Sequence, residues 1–193
     1  IAPLVAALGD DSNAAAEAIM TTDLTKKEIA FEFDLGGKAC HIGGICKGSG
    51  MIQPNMATML GFVTTDAAIS PAMLQQALSA DILDSFNMVS VDGDTSTNDM
   101  VTILANGMAG NAMITEKNAD YSAFCAALSA VTQYLSRSIA ADGEGATKLM
   151  ICHLTGASDK QSAIKLSKSV INSPLVKCAM FGADANWGRV LCA

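Results

Sequence analysis

The residues best suited to chemistry lie in the stretch GSGMIQPNMATMLGFVTTDA, residues 48–67. Its glycines permit backbone conformations closed to other residues, and Pro54 disfavours a helix at Gln53, so the segment before Ala57 is predicted to bend tightly. Thr58 then stands where this bend enters an uncharged, apolar run. A threonine hydroxyl in that position is a candidate nucleophile. The alternative interpretation is a β-branched residue that opens a strand.

Two further polar side chains, Lys47 and Ser49, lie in the same glycine-rich segment. A cation and a hydroxyl among glycines are typical of phosphate-binding loops. However, CKGSGMI lacks the GxxxxGK[ST] spacing of such a loop, and no strand-loop-helix context follows it. The pattern therefore does not favour nucleotide binding.

Two more clusters carry polar residues beyond what turns require. Asp92, Asp94, Asn98 and Asp99 in VDGDTSTND have a spacing loosely similar to a calcium loop, but the block has no glycine or terminal glutamate at the positions where an EF-hand loop needs them. A hydrogen-bonded turn is the favoured interpretation. In DGEGATK, Glu144 lies between two glycines and could approach a ligand closely, and a solvated helix-to-strand turn is the alternative.

Composition limits the classes of function. The chain has 193 residues, half of them apolar, with 12 basic against 19 acidic residues and a net charge of −7. This balance argues against general binding of nucleic acid or anionic membranes, and no apolar run reaches the roughly 18 residues of a membrane helix. Six scattered cysteines and two distant histidines are poorly spaced for zinc, so no metal site is predicted. Cys40-His41 with Cys46 remains an alternative Cys/His nucleophilic pair.

The elements that must position these residues alternate between helix and strand. Asp11, Ser12 or Asn13 is predicted to cap a helix that ends near residues 21–23, and residues 28–44 are predicted to form a hairpin around a Gly36-Gly37 turn. A buried strand over 58–65 and a Ser70-capped helix over 70–83 follow.

In the second half, residues 85–100 resemble a strand that runs into a polar turn, and residues 100–107 are predicted to form a helix. Residues 120–145 are predicted to contain an amphipathic helix that stops at DGEG and whose stripe contains Phe124, Leu128, Val131, Leu135 and Ile139. A strand over 146–157, a helix over 159–174 and a turn over 181–190 complete the chain. Residues 1–193 are therefore interpreted as one continuous α/β unit.

Five blocks together resemble a known family. The blocks GGICKGSGMIQPNMATMLGFVTTDA, SFNMVSVDGDTSTND, LANG, DGEGATKL and SPLVKCAMFGADANWGR are similar to the signatures of the ornithine acetyltransferase family, the bifunctional glutamate N-acetyltransferases of arginine biosynthesis. They occur in the family's order across nearly the whole chain. Ala185 stands where the family has proline, and Cys46 and Cys178 stand where alanine and threonine are common.

The resemblance implies an αββα sandwich with mixed sheets and a precursor that cuts itself between Ala57 and Thr58. Residues 1–57 would then end an α chain, and residues 58–193 would begin a β chain. The Thr58 hydroxyl would attack the Ala57 carbonyl in an N-to-O acyl shift, and water would hydrolyse the ester. The new α-amine, with an ordinary pKa of about 7.7–8.0, could serve as the base for the hydroxyl.

By the same resemblance, Thr58 would carry acetyl from N-acetylornithine to glutamate in a ping-pong cycle and release ornithine. Lys47 matches a family lysine that contacts substrate, and Glu144 matches an acidic partner of the substrate's cationic amino group. No metal or cofactor is implied, although acetyl-CoA serves as acetyl donor in bifunctional members. The expected assembly is α2β2 or larger, in the cytoplasm or in an organelle matrix if the source is eukaryotic.

The family's oxyanion hole, a Thr-Gly pair, belongs to a motif that precedes these residues, so the 193 residues are expected to be a fragment of a larger enzyme. Two rival hypotheses remain. One is a self-cleaving amidase or aminopeptidase of related fold, and the other is an uncleaved, noncatalytic homologue that acts as a binding module.

Overall fold

The structure is a computed structural model that describes residues 1–53, 59–95 and 97–193. The strands of this part are β1 (Lys27–Leu35), β2 (Lys38–Lys47), β3 (Leu60–Thr65) and β4 (Met100–Ala105). Its α-helices are α1 (Ala2–Ala6), α2 (Ser12–Ala18), α3 (Pro71–Asp81), α4 (Ala119–Ala141), α5 (Lys160–Asn172), α6 (Pro174–Phe181) and α7 (Trp187–Cys192). Short 3-10 turns cover Ile82–Asp84 and Phe86–Met88.

The predicted hairpin is confirmed. Strands β1 and β2 pair antiparallel from Leu35↔Lys38 to Lys27↔Cys46. Gly36 and Gly37 have φ of 59° and 82°, and two consecutive positive φ angles match the twist of the flanking strands. Asp34 Oδ1 accepts a hydrogen bond from the Gly37 amide at 3.0 Å, which fixes the turn.

The four strands form one mixed sheet in the order β1-β2-β3-β4. Strand β3 is antiparallel to β2, whereas β4 is parallel to β3. Parallel neighbours need a crossover connection, and α3 lies in that connection. Helix α3 begins as predicted, with Ser70 Oγ accepting from the Met73 amide and Pro71 at its first position.

Helix α4 covers one face of the sheet, packed on β1 and β2. The predicted apolar stripe is confirmed, because Phe124, Leu128, Val131, Leu135 and Ile139 are all fully buried. The helix approaches the sheet closely at Gly44. A Cβ atom there would lie 3.1 Å from Leu135 Cδ1 and 3.2 Å from Val131 Cγ1.

Three predicted elements are wrong. Residues 100–107 hold strand β4 instead of a helix, because a short apolar run does not distinguish a buried strand from a helix. Residues 86–88 form a 3-10 turn instead of a strand. Residues 146–157 form no strand, since no described strand pairs with them. Within the described part of the chain, no helix is long and apolar enough to cross a lipid bilayer.

Candidate functional site

The structure places two of the predicted site residues beside the glycine loop. Lys47 ends β2 and is 6% exposed, and Glu144 lies exposed in the turn after α4. Ala57 and Thr58 lie outside the described residues. The glycine loop, residues 48–50, follows Lys47 directly and contacts the turn that carries Glu144.

Hydrogen bonds join the glycine loop to the turn at residues 142–145. The Glu144 amide donates to the Ser49 carbonyl at 2.9 Å, and Ser49 Oγ donates to the Asp142 carbonyl at 2.7 Å. The Glu144 carboxyl group lies over Gly50, where a Cβ atom would come within 2.6 Å of Glu144 Cδ. Only glycine at residue 50 therefore allows the acidic side chain its position against the loop.

Lys47 is held by partners on both sides. Its Nζ donates to Thr21 Oγ1 at 2.8 Å, and its charge acts on the nearby Asp99 carboxylate. Burial raises the pKa of Asp99, and the Met59 amide and the Lys47 charge offset this only in part. Asp99 Oδ1 accepts from the Met59 amide, and its buried Oδ2 has no hydrogen-bond partner. A cation and a carboxylate thus lie beside the residue that directly follows Thr58 in the sequence.

In the polar block VDGDTSTND, the predicted turn is present at residues 92–94, and Asp92 also anchors the backbone at residues 51 and 52. Asp92 Oδ1 accepts from the Asp94 amide at 3.0 Å, as in an Asx turn. The same carboxylate accepts from the amides of Met51 at 2.6 Å and Ile52 at 3.1 Å. Met51 has a φ of 54°, which is uncommon outside glycine, so the predicted bend is confirmed there. Since Asp99 accepts from the Met59 amide, the block holds the chain on both sides of residues 54–58.

A buried ion cluster that sequence reasoning missed lies beneath the glycine loop. Lys27 Nζ lies 2.7 Å from Asp23 Oδ1 and 2.6 Å from Asp142 Oδ2, and the Lys27 side chain is 1% exposed. Asp23 Oδ1 also accepts from the Gly48 amide at 2.7 Å. The sequence does carry a signal for a buried Lys27. Lys27 and the apolar Ile29 are two residues apart in β1, and strand side chains two apart share a face.

A cavity of about 650 Å³ opens beside Glu144, between α4 and α5. Its lining includes the basic residues Arg137, Lys148, Lys160, Lys168 and Lys177. Apolar side chains make up much of the remaining wall. A concave, largely apolar site with a few charged groups suits a small molecule that carries charges of its own.

Comparison with known proteins identifies the family. The ArgJ family model matches residues 1–193. The chain belongs to the ArgJ family. It is 57% identical to the arginine biosynthesis bifunctional protein ArgJ of Symbiobacterium thermophilum, over 97% of the chain and 47% of that relative. The ArgJ 1 protein of Clostridium acetobutylicum is 55% identical, over 95% of the chain and 45% of that relative.

A solved structure agrees with this family. The crystal structure of ArgJ from Bacillus halodurans matches with a TM-score of 0.63 and 47% identity, covering 68% of this chain and 62% of that one. The family resemblance and the α/β class with a mixed sheet are thereby confirmed. The chain spans about half the length of the curated ArgJ relatives it matches.

The alternative Cys/His pair is wrong in this ArgJ-family chain. Cys40 is fully buried, whereas the His41 side chain is 61% exposed, because neighbouring strand residues point to opposite faces. His41 Nδ1 lies 2.8 Å from Asp66 Oδ2. Burial raises the pKa of Cys46 to about 12, so its thiol stays protonated and is a poor nucleophile.

Proposed function

We propose that this chain carries the nucleophile and two substrate contacts of a glutamate N-acetyltransferase, which moves acetyl from N-acetylornithine to glutamate. The support is membership of the ArgJ family, whose curated relatives are named as bifunctional proteins of arginine biosynthesis. The observation that carries the proposal is the arrangement around residues 54–58. Asp92 and Asp99 anchor the backbone on each side, and Lys47 leads into the glycine loop.

The first step is self-cleavage between Ala57 and Thr58. The Thr58 hydroxyl attacks the Ala57 carbonyl carbon, the peptide C–N bond breaks, and the nitrogen takes a proton to become the α-amine of Thr58. Water then hydrolyses the ester, which leaves a carboxylate on Ala57 and a free hydroxyl on Thr58. A backbone held on both sides of the scissile bond favours this attack, because fixed orientation replaces a search through many conformations.

The second step is transfer. The new α-amine of Thr58 accepts the hydroxyl proton while the oxygen attacks the acetyl group of N-acetylornithine. Ornithine leaves with a proton on its nitrogen, and an acetyl ester remains on Thr58. The amine of glutamate attacks that ester, which gives N-acetylglutamate and regenerates the hydroxyl. The oxyanion donors belong to a part of the protein outside this chain.

Lys47 and Glu144 have opposite charges that suit the two ends of the substrate. The Lys47 ammonium, oriented by Thr21, complements a substrate carboxylate. Glu144 is exposed and lies at the edge of the cavity, and its carboxylate complements the cationic amino group of ornithine. Glutamate and N-acetylornithine both carry a carboxylate, so the lysine serves both halves of the cycle.

The assembly and location follow the family expectation. We propose that residues 1–57 and 58–193 belong to the α and β chains of a longer protein that assembles as α2β2 or larger in the cytoplasm. The reaction uses no cofactor, and acetyl-CoA is a second acetyl donor in the bifunctional form of the activity.

Substitution of the nucleophile tests the proposal. In the full-length protein, Thr58→Ala should leave the chain uncut and abolish acetyl transfer, measured by gel electrophoresis and by ornithine release from N-acetylornithine. Thr64→Ala, which changes an exposed threonine of β3, is the matched control and should be cut normally. Normal cleavage in Thr58→Ala would refute the assignment. Release of acetate without dependence on glutamate would favour the amidase hypothesis, and a wild-type chain that is never cut would favour the noncatalytic one.

A further inference from the structure

We propose that the buried triad of Asp23, Lys27 and Asp142 is a positioning device that sets the geometry of Lys47 and Glu144. This inference rests on the proposed function for its kinetic consequence, although the geometry stands by itself. Lys27 is too buried to touch substrate, at 1% exposure. It therefore acts through its neighbours rather than as a catalytic residue.

One branch of contacts leads from Lys27 to Lys47. Asp23 Oδ1 binds Lys27 Nζ and the Gly48 amide, each at 2.7 Å. Asp23 Oδ2 accepts from the Thr21 amide at 3.2 Å, and Thr21 Oγ1 accepts from Lys47 Nζ at 2.8 Å. The same carboxylate thus fixes the backbone that follows Lys47 and the residue that holds its ammonium group.

A second branch leads from Lys27 to Glu144. Asp142 Oδ2 binds Lys27 Nζ at 2.6 Å and accepts from the Leu24 amide at 3.0 Å. The Asp142 carbonyl accepts from Ser49 Oγ, and the Ser49 carbonyl accepts from the Glu144 amide. The turn that carries Glu144 is therefore tied to the start of β1 through the Asp142 carboxylate and to the glycine loop through its own backbone groups.

The charges of the triad are well satisfied. Lys27 Nζ donates to both carboxylates and, at 3.1 Å, to the Thr25 carbonyl, so its three donors all have partners. Burial raises the pKa of Asp23 and of Asp142, but hydrogen bonds from backbone amides and Lys27 outweigh it, and both carboxyl groups have a pKa below the ordinary value. Both carboxyl groups are therefore ionised at neutral pH.

A buried ion cluster is weak evidence for stability, because apolar residues of similar volume often stabilise a protein as well or better. What apolar residues cannot do is bind backbone amides and set their direction. The triad joins three segments, residues 21–27, 47–50 and 142–144, that are far apart in the sequence. The specific effect of the triad is to fix the position of Lys47 relative to Glu144, the two proposed substrate contacts.

Hydrogen exchange of the full-length protein tests the geometry without any activity. Lys27→Met removes the hydrogen bonds that orient the Asp23 and Asp142 carboxylates. Exchange of the Gly48 and Leu24 amides, which donate to these carboxylates, should therefore speed about tenfold or more, since each carboxylate loses one charge-assisted hydrogen bond. Lys26→Met is the matched control. Lys26 is the neighbouring lysine, 39% exposed and paired with Glu28 at 3.1 Å, and its replacement should leave both amides unchanged. Equal protection in both variants would overturn the proposal.

Kinetics separate positioning from stability. The triple variant Asp23→Leu, Lys27→Met, Asp142→Leu replaces the whole buried charge cluster with apolar side chains and should restore a wild-type unfolding temperature if Lys27→Met lowers it. Its KM for N-acetylornithine should still rise about tenfold, with a smaller change in kcat, because Lys47 and Glu144 are misplaced. A folded triple variant with wild-type KM would show that the triad is only structural. Wild-type enzyme without cleavage or transfer would refute the proposed function, while the exchange result would still decide the positioning.

Discussion

The two regions of the molecule, residues 16–145 and 146–193, differ sharply in burial. The continuous core cluster runs from Leu35 to Ile139 and includes residues of the sheet, α3 and α4. Beyond residue 145, only Val176 and Ala179 are buried. Large apolar side chains there are exposed, such as Leu166 at 54% and Phe181 at 67%.

In the second region, capping residues at the helix N-termini determine where the helices begin. Asp159 caps α5 by accepting from the Ser162 amide at 2.8 Å, and Asn186 caps α7 by accepting from the Arg189 amide at 3.1 Å. Each cap contributes only about 0.5–2 kcal/mol. The first region thus holds its shape through tertiary packing and anchors the candidate site, whereas the second forms one wall of the cavity.

The largest expected difference between the regions comes from a matched pair of phenylalanines. Phe124→Ala should destabilise the protein by about 3–5 kcal/mol, because the side chain is fully buried. Phe181→Ala should cost about 0.5–1 kcal/mol, mainly from its contact with Lys148. Urea denaturation followed by circular dichroism measures both values. Similar losses would show that the second region is packed as tightly as the first.

A matched pair of glycines should change stability in opposite directions. Gly44→Ala should destabilise by about 1–3 kcal/mol, because its Cβ would lie 3.1 Å from the Phe62 carbonyl and Leu135. Gly188→Ala lies in α7, where a Cβ meets only Asn186 at 3.5 Å. It should be neutral or stabilise by up to about 1 kcal/mol through helix propensity. Thermal unfolding of both variants gives the sign of each change in stability. A stabilising Gly44→Ala would contradict the close approach of α4 to the sheet.

Within the first region, the anchor of the bent segment should affect processing more than stability. Asp92→Ala removes the acceptor of the Met51, Ile52 and Asp94 amides. Cleavage should slow about tenfold, which corresponds to about 1.4 kcal/mol in the barrier. Asp94→Ala is the control, because the Asp94 side chain accepts no hydrogen bond from the described residues. The cut fraction is measured against time on gels of freshly synthesised protein. Cleavage at the wild-type rate in both variants would contradict the anchoring role of Asp92.

The smallest effect should come from the exposed His41 on the hairpin. Its hydrogen bond with Asp66 raises the pKa of His41 above its ordinary value. The stabilisation is therefore fully present below about pH 6.5, the unfolded pKa, and is lost as the pH rises through the folded pKa. Titration by NMR should show a lower His41 pKa in Asp66→Asn than in wild type. An equal His41 pKa in the two proteins would show that His41 and Asp66 do not form this ion pair.

The sequence predicted those elements whose signals are local. The Gly36-Gly37 turn, the Ser70-Pro71 start and the period of α4 each specify structure within a few residues. The sequence predicts a helix at β4 because the strand's partner, β3, lies about 40 residues earlier and leaves no local signal. Met100 and Leu104 are apolar although they are 43% and 64% exposed, so the run lacks the alternation of apolar and polar residues that marks a half-buried strand.

The candidate site is predictable where polar residues lie among glycines. That context points to Lys47 and Glu144, the family blocks imply their roles as substrate contacts, and the structure brings both to the glycine loop. Lys27 was missed, because its partner Asp142 is 115 residues away and no local pattern records such a pair. The roles of Asp92 and Asp99 were also missed, since a carboxylate that binds backbone amides leaves only a turn-like composition.

The most direct test of the central claim is an intact-mass spectrum of the denatured full-length protein, with N-terminal sequencing of every fragment. We expect a fragment that begins TMLGFV and a partner that ends at Ala57, with masses that sum to the precursor plus one water. A single uncut chain, or a cut at any other bond, would contradict the assignment of Thr58 as the nucleophile.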